Sequence, residues 1–176
     1  MLNLLAEEIE PTTGEIVKGP NVDLAYYAQH QLETLDERDT VYESIEKVAL
    51  GMKETEIRTY LGGFLFSGEE IEKKVKVLSG GEKARLSLCG LLLSQSNVII
   101  LDEPTNHLSI KETNKVLDFV AGLKEQGVTS IFITHNLNHV FPIADHLCVM
   151  ARGEKIADLQ KENTDIQELT NLLVNG

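Results

Sequence analysis

The sequence contains no tryptophan, two cysteines and four prolines, and aromatic residues fill 5% of its 176 positions. Each scarcity removes a class of function. Cys89 and Cys148 stand far apart in apolar settings, with no CxxC or Cys/His cluster. That pattern builds neither a disulfide framework nor a zinc site, and both thiols are expected to be buried and reduced. No apolar run approaches the roughly 18 residues of a membrane span. Basic residues are few as well: 16 Lys and Arg face 28 Asp and Glu, a formal net charge of −12. An acid excess of this size disfavours direct binding of nucleic acid or an anionic membrane. The one dense basic stretch, "EKKVKVL", is interleaved with glutamates and reads as a solvated face. The opening "MLNLLAEEIEP" has no basic lead and meets acidic residues at once, so it does not read as a signal peptide. Cytoplasm is the expected location.

What is present suffices for one domain, or for one domain with a small insertion. Leu2, Leu4, Leu5 and Ile9 predict an opening helix, stopped by Pro11 and "TTG". "VDLAYYAQ" alternates as a strand. "DTVYESIEKVA" places Thr40 three residues before Glu43, the spacing of a capping box. Further helices are expected over 54–61 and, after Ser67, over 68–77, so 38–95 reads as mostly helical. Past Asn97 the pattern changes. "VIILD" is a short all-apolar run of the kind that a sheet buries on both faces. Ser109 and Glu112 then open a helix whose face is Val116, Leu117, Val120 and Leu123, with Gly127 as its stop. "SIFITH" and "HLCVM" read as further buried strands, and "RGEKIADL" as a turn into another. Strands separated by helical crossovers predict an α/β fold with a parallel sheet.

Two stretches carry chemistry. "VIILDEP" sets Asp102 and Glu103 at the carboxyl end of a buried strand, where open α/β sheets bind ligands. Adjacent carboxylates there suit phosphoryl transfer, one supporting Mg²⁺ and the other polarising water. In "LSGGEKARLSL", Gly80 and Gly81 bring backbone N–H groups to the start of a helix whose face is Ala84, Leu88 and Leu91. The helix dipole, those donors and the Ser79 hydroxyl together make a seat for phosphate.

"LSGGEKARLSL" followed by "VIILDEPTNHLS" resembles the signature motif and Walker B of ATP-binding-cassette (ABC) ATPases. Up to about residue 107, "GPNVDLAYYAQHQLETLD" and "EIRTYLGGFLFSGEE" resemble the second cassette of subfamily F, the soluble, translation-linked branch. From about residue 108 the chain is more similar to the ATPase subunits of bacterial sugar importers, which gives it a chimeric look. The resemblance implies an incomplete P-loop NTPase (RecA-like) core at 1–37 and 96–176, with a helical signature subdomain at 38–95. It implies ATP and Mg²⁺ as ligands and a second cassette, in a homo- or heterodimer, as partner; ribosome or membrane subunits follow by analogy only. By position, Gln29 matches the Q-loop glutamine near Mg²⁺ and the attacking water. Ser79, Gly80, Gly81 and Glu82 match the signature, Asp102 the Mg²⁺-supporting aspartate and Glu103 the general base. His135 matches the switch histidine at the γ-phosphate. Ser109 stands where many cassettes carry the D-loop aspartate.

A P-loop needs G-x-x-x-x-G-K-[ST], and no such string occurs in the sequence. In the family that loop stands immediately before the helix that "MLNLLAEEIEPTTGEI" resembles, so Met1 is expected to lie just past it. Three functional readings follow. The chain is part of an ABC ATPase that does not turn over alone, or a non-catalytic module lending its signature to an intact cassette, or a truncated or recombined product without selected activity.

Overall fold

The computed structural model describes residues 2–7, 9–28, 35–94, 96–106 and 108–175. Gln29, expected as the Q-loop residue, lies outside the described residues, as do His30 and His107. The chain divides into two compact units, Met1–Ile133 and Thr134–Gly176.

The first unit holds a three-stranded parallel sheet in the order β1 (Leu24–Tyr27), β2 (Val98–Asp102), β3 (Thr129–Ile133). As the central strand, β2 is covered on both faces. Ile99, Ile100 and Leu101 are at most 1% exposed, which is why its sequence is an unbroken apolar run. Burying each such side chain contributes about 1.5–3 kcal/mol. Tyr26, Ala28 and Ile100 form one cluster, closed by Leu5 and Ala6. The opening helix α1 spans only Leu2–Leu5. It ends earlier than its apolar spacing predicts because Glu7 turns left-handed (φ 60°) and the Ile9 N–H reaches back to the Asn3 carbonyl.

β3 departs from expectation. "SIFITH" predicts a buried strand, yet Thr129, Ser130 and Ile131 are exposed. Among the described residues β3 pairs only with β2. The Thr129 N–H donates to Asn97 O and the Glu103 N–H to Ile133 O, so alternation turns the Ser130 and Phe132 peptide groups to the outer edge.

Between β1 and β2 lies the helical segment, with α2 (Val41–Glu46), α3 (Glu54–Gly63) and α4 (Gly80–Leu92). Its buried residues include Ile45, Ile57, Leu61, Phe66, Leu86 and Leu88. Residues 68–77, expected as one helix, form two 3-10 turns, Gly68–Glu72 and Val75–Val77. The Val41 N–H donates to Lys73 O and the Val75 N–H to Asp39 O, and this bridge pulls Lys73 and Lys74 into extended backbone. Tertiary pairing overrides the local helical period. α5 (Ile110–Leu123) makes the crossover from β2 to β3, and Gly127, at φ 75°, ends the 3-10 turn that follows it.

In the second unit β4 (His146–Ala151) and β5 (Glu154–Gln160) form an antiparallel hairpin, accompanied by α6 (Leu137–Val140) and α7 (Ile166–Asn175). Positive φ at both Arg152 and Gly153 gives the turn whose twist matches a two-residue hairpin. Leu147 and Val149 face inward against Leu169. Cys148, between them, faces out and is exposed, so the expected pair of buried thiols is one: Cys89 on α4 is buried. A strand covered on one face alternates, and the odd position falls to the cysteine. No helix among the described residues is long and apolar enough to cross a membrane.

Candidate nucleotide site

The signature turn is built by a cap. Ser79 stands extended (φ −63°, ψ 164°) before α4; the Glu82 N–H donates to Ser79 Oγ at 3.2 Å, and the Ser79 N–H donates to Glu82 Oε2 at 2.7 Å. The hydrogen bond from the Ser79 backbone, opposed by partial burial, holds the Glu82 carboxyl below the usual glutamate range. The box engages the N–H groups of Ser79 and Glu82 and leaves free the donors that the sequence assigns to a phosphate. What stays on offer is the Ser79 hydroxyl hydrogen and the first-turn N–H groups of Gly80 and Gly81. Ser79 and Gly80 are exposed, and a Cβ added at Gly80 would meet nothing within 4 Å. No neighbour in the described chain requires glycine there, and the space beside it is open.

The carboxylate turn closes the sheet. Asp102 ends β2 in register with Ile133 and is half-buried. Glu103 follows in the left-handed region at φ 48°, its N–H held by Ile133 O at 3.0 Å, with Pro104 and Thr105 buried behind it. A non-glycine residue held in that region costs roughly 1–2 kcal/mol, and such strain concentrates at functional positions. The described residues contain no cluster of three or more His, Cys, Asp or Glu able to hold a metal. Two carboxylates nonetheless suit Mg²⁺, a hard ion that takes one or two from a protein and fills its shell with water and substrate phosphate.

His135 belongs to the second unit, exposed between β3 and Asn136. Asn136 caps α6, accepting the Asn138 N–H at 3.1 Å and lying 3.1 Å from His139 Nε2 through its Nδ2.

Sequence reasoning passed over Arg85 and did not tie it to Glu112. Arg85 sits on the buried side of α4, 7% exposed. Its Nη1 donates to Phe64 O at 2.8 Å, and its guanidinium lies 4.8 Å over the Phe66 ring. Nε is 2.8 Å from Glu112 Oε1, an ion pair rather than a straight hydrogen bond, since the N–H is not directed at that oxygen. The available signal was a lone arginine inside the Ala84–Leu88 stripe, where a charge demands partners.

Known proteins are similar in sequence and fold. The family model described as ABC transporter matches residues 1–106. Putative ATP-binding protein YdiF of Bacillus subtilis is 41% identical over 82% of the chain, and Probable ATP-binding protein YheS of Escherichia coli 31% over 97%. ABC transporter F family member 2 of Arabidopsis thaliana is 33% identical over 82% of the chain. The chain spans 22–27% of the length of these curated relatives. Among solved structures, the archaeal ribosome recycling factor in complex with a ribosomal stalk protein matches 86% of this chain and 29% of its own, at TM-score 0.70 and 26% identity. An ATP-binding cassette in a dimeric post-hydrolysis state, bound to ADP and Pi, matches 91% of this chain and 78% of its own, at TM-score 0.71 and 22% identity. That second likeness shows the P-loop NTPase fold. With the family model covering more than half of its residues, the chain belongs to the ABC transporter family, as an ATPase cassette whose relatives include subfamily F.

Proposed function

We propose that this chain lends its signature turn to ATP held by a second cassette. The observation that carries the reading is Gly80, an exposed first-turn glycine that no neighbour within 4 Å requires. Room, two backbone donors, a hydroxyl and the positive end of a 13-residue helix suit one face of a terminal phosphate. The dimeric state of the solved cassette supports a partner of the same kind. A ribosomal setting rests only on the relatives and on the recycling factor.

Ser79, Gly80 and Gly81 donate to γ-phosphate oxygens across the dimer. The second reading is hydrolytic, favoured by the strained backbone of Glu103. There the Glu103 carboxylate takes a proton from the water that attacks the γ-phosphorus, and ADP leaves. Asp102 and Gln29 are the residues that would hold Mg²⁺, which when bound neutralises charge developing on the phosphate oxygens.

Titration with a fluorescent ATP analogue, with and without Mg²⁺, tests both readings. For signature donation, the chain alone shows no saturable binding up to millimolar nucleotide. Added to an intact F-family cassette, it tightens that cassette's binding at least tenfold, and Gly80→Asp, which sets a carboxylate against the phosphate, abolishes the gain. Saturable Mg²⁺-dependent binding by the chain alone, indifferent to Gly80→Asp, would overturn donation. If that binding came with turnover lost in Glu103→Gln, the hydrolytic reading would stand.

A further inference from the structure

We infer that Arg85 is a positioning residue linking the signature turn at the start of α4 to the start of α5, the helix that follows Asp102 and Glu103. This deepens the reading above and rests on it for its functional meaning; the linkage itself does not need nucleotide.

Both helices open with the same device. At α4 the Ser79 N–H donates to Glu82 Oε2, and at α5 the Ser109 N–H donates to Glu112 Oε2, each at 2.7 Å. The buried Arg85 guanidinium is ion-paired to Glu112. Arg85 also stands three residues after Glu82 on α4, the spacing that brings side chains onto one helix face, and its charge adds to the larger effect of the Ser79 hydrogen bonds in lowering the Glu82 carboxyl. Burial would raise the Glu112 carboxyl, and the Glu82 charge pushes the same way. Hydrogen bonds from Ser109 and the charge of Arg85 outweigh both. The three groups form an alternating anion–cation–anion set at the junction of two helix starts.

The set has little freedom to let one member move alone. Arg85 is anchored on Phe64 O and stacked on Phe66. Phe64 in turn packs on Phe119 of α5, centroids 5.0 Å apart. An anion arriving at Ser79 and Gly80 repels Glu82 and competes for the donors of its cap. Glu82 displaced from the Ser79 N–H has Arg85 and Lys73, the latter 3.8 Å away, as its cations. A guanidinium drawn toward Glu82 loosens its hold on Glu112, and the cap at Ser109 responds. Lysine cannot replace it, because one ammonium does not hold a carbonyl, a ring face and a carboxylate in fixed directions.

Amide hydrogen exchange on the purified chain, without nucleotide, tests the linkage. Glu82→Gln weakens the α4 box directly. The expected result is exchange at least threefold faster at Lys83 and Ala84, and at least threefold slower at Glu112 and Thr113, because a guanidinium no longer drawn to Glu82 holds Glu112 more tightly. In an Arg85→Lys background the same change reaches only the α4 amides. Glu112→Gln acts in reverse, since coupling between two sites is reciprocal. Glu43→Gln, which weakens the box at α2 with partners Thr40 and Lys74, leaves α5 unchanged and reports any general loosening. Unchanged or faster exchange at α5 in the Glu82→Gln chain overturns the inference. So does an equal change at α5 in Glu43→Gln. A failure here with nucleotide effects intact would leave signature donation standing, and the converse would leave the linkage standing.

Discussion

At the residue scale, two cysteines of like sequence surroundings have opposite fates. Cys89 lies on the buried stripe of α4, where desolvation pushes its thiol well above the usual range; Cys148 is on the open face of β4. A maleimide or disulfide reagent should therefore label one thiol in the folded chain, Cys148, and both only after denaturation. Two equivalents reacting at once would contradict the packing of α4. Glu103 poses a sharper question, since its left-handed backbone opposes its side chain's preference. Asparagine tolerates that region better. Glu103→Asn should leave the urea midpoint unchanged or raise stability by up to about 1 kcal/mol, while removing any hydrolysis. A loss of more than that would make the carboxylate part of the fold rather than of the chemistry. The position of Glu103 at a strand end was legible in "VIILDEP"; its strain was not, because it arises from the N–H bond to Ile133, 30 positions away.

At the scale of elements, capping boxes organise the helix starts. Thr40–Glu43 and Ser109–Glu112 could be read from spacing alone, because such a box closes within four residues. Ser109→Ala should lower stability by about 1 kcal/mol, measured by thermal or urea unfolding. The boxes also predict a pH dependence. Glu43, Glu82 and Glu112 are all held below the usual glutamate value of 4.5. A depressed carboxyl contributes its stability in full above the unfolded value and loses it as pH falls through the folded value. Stability should thus decline between about pH 5 and 3, and the triple Glu→Gln chain should show a shallower decline over that window. An identical slope would mean that these carboxylates gain nothing on folding. The 68–77 segment shows the limit of such reading. Its helical period is real, but the bridge from Thr40 to Lys74 breaks it.

At the scale of the whole molecule, the outer edge of β3 carries the main consequence. A strand with Ile131 38% exposed, and with the Ser130 and Phe132 peptide groups facing outward, is a template for pairing. Sedimentation at rising protein concentration should show self-association, and Ile131→Lys should suppress it while leaving the unfolding free energy within about 0.5 kcal/mol of the parent. A wild-type chain that stays monomeric, or a lysine variant that associates equally, would count against the edge as the cause.

The sequence by itself determined what short-range chemistry can encode: the capped helix starts, the buried β2, and a turn at 152–153. Only the tertiary structure decided which apolar strand is exposed, which thiol faces out, and where the 68–77 helix breaks. It alone gave the lone buried arginine its partners, Phe64, Phe66 and Glu112. Those outcomes depend on pairings between residues 19 or more positions apart, whose geometry no local period records.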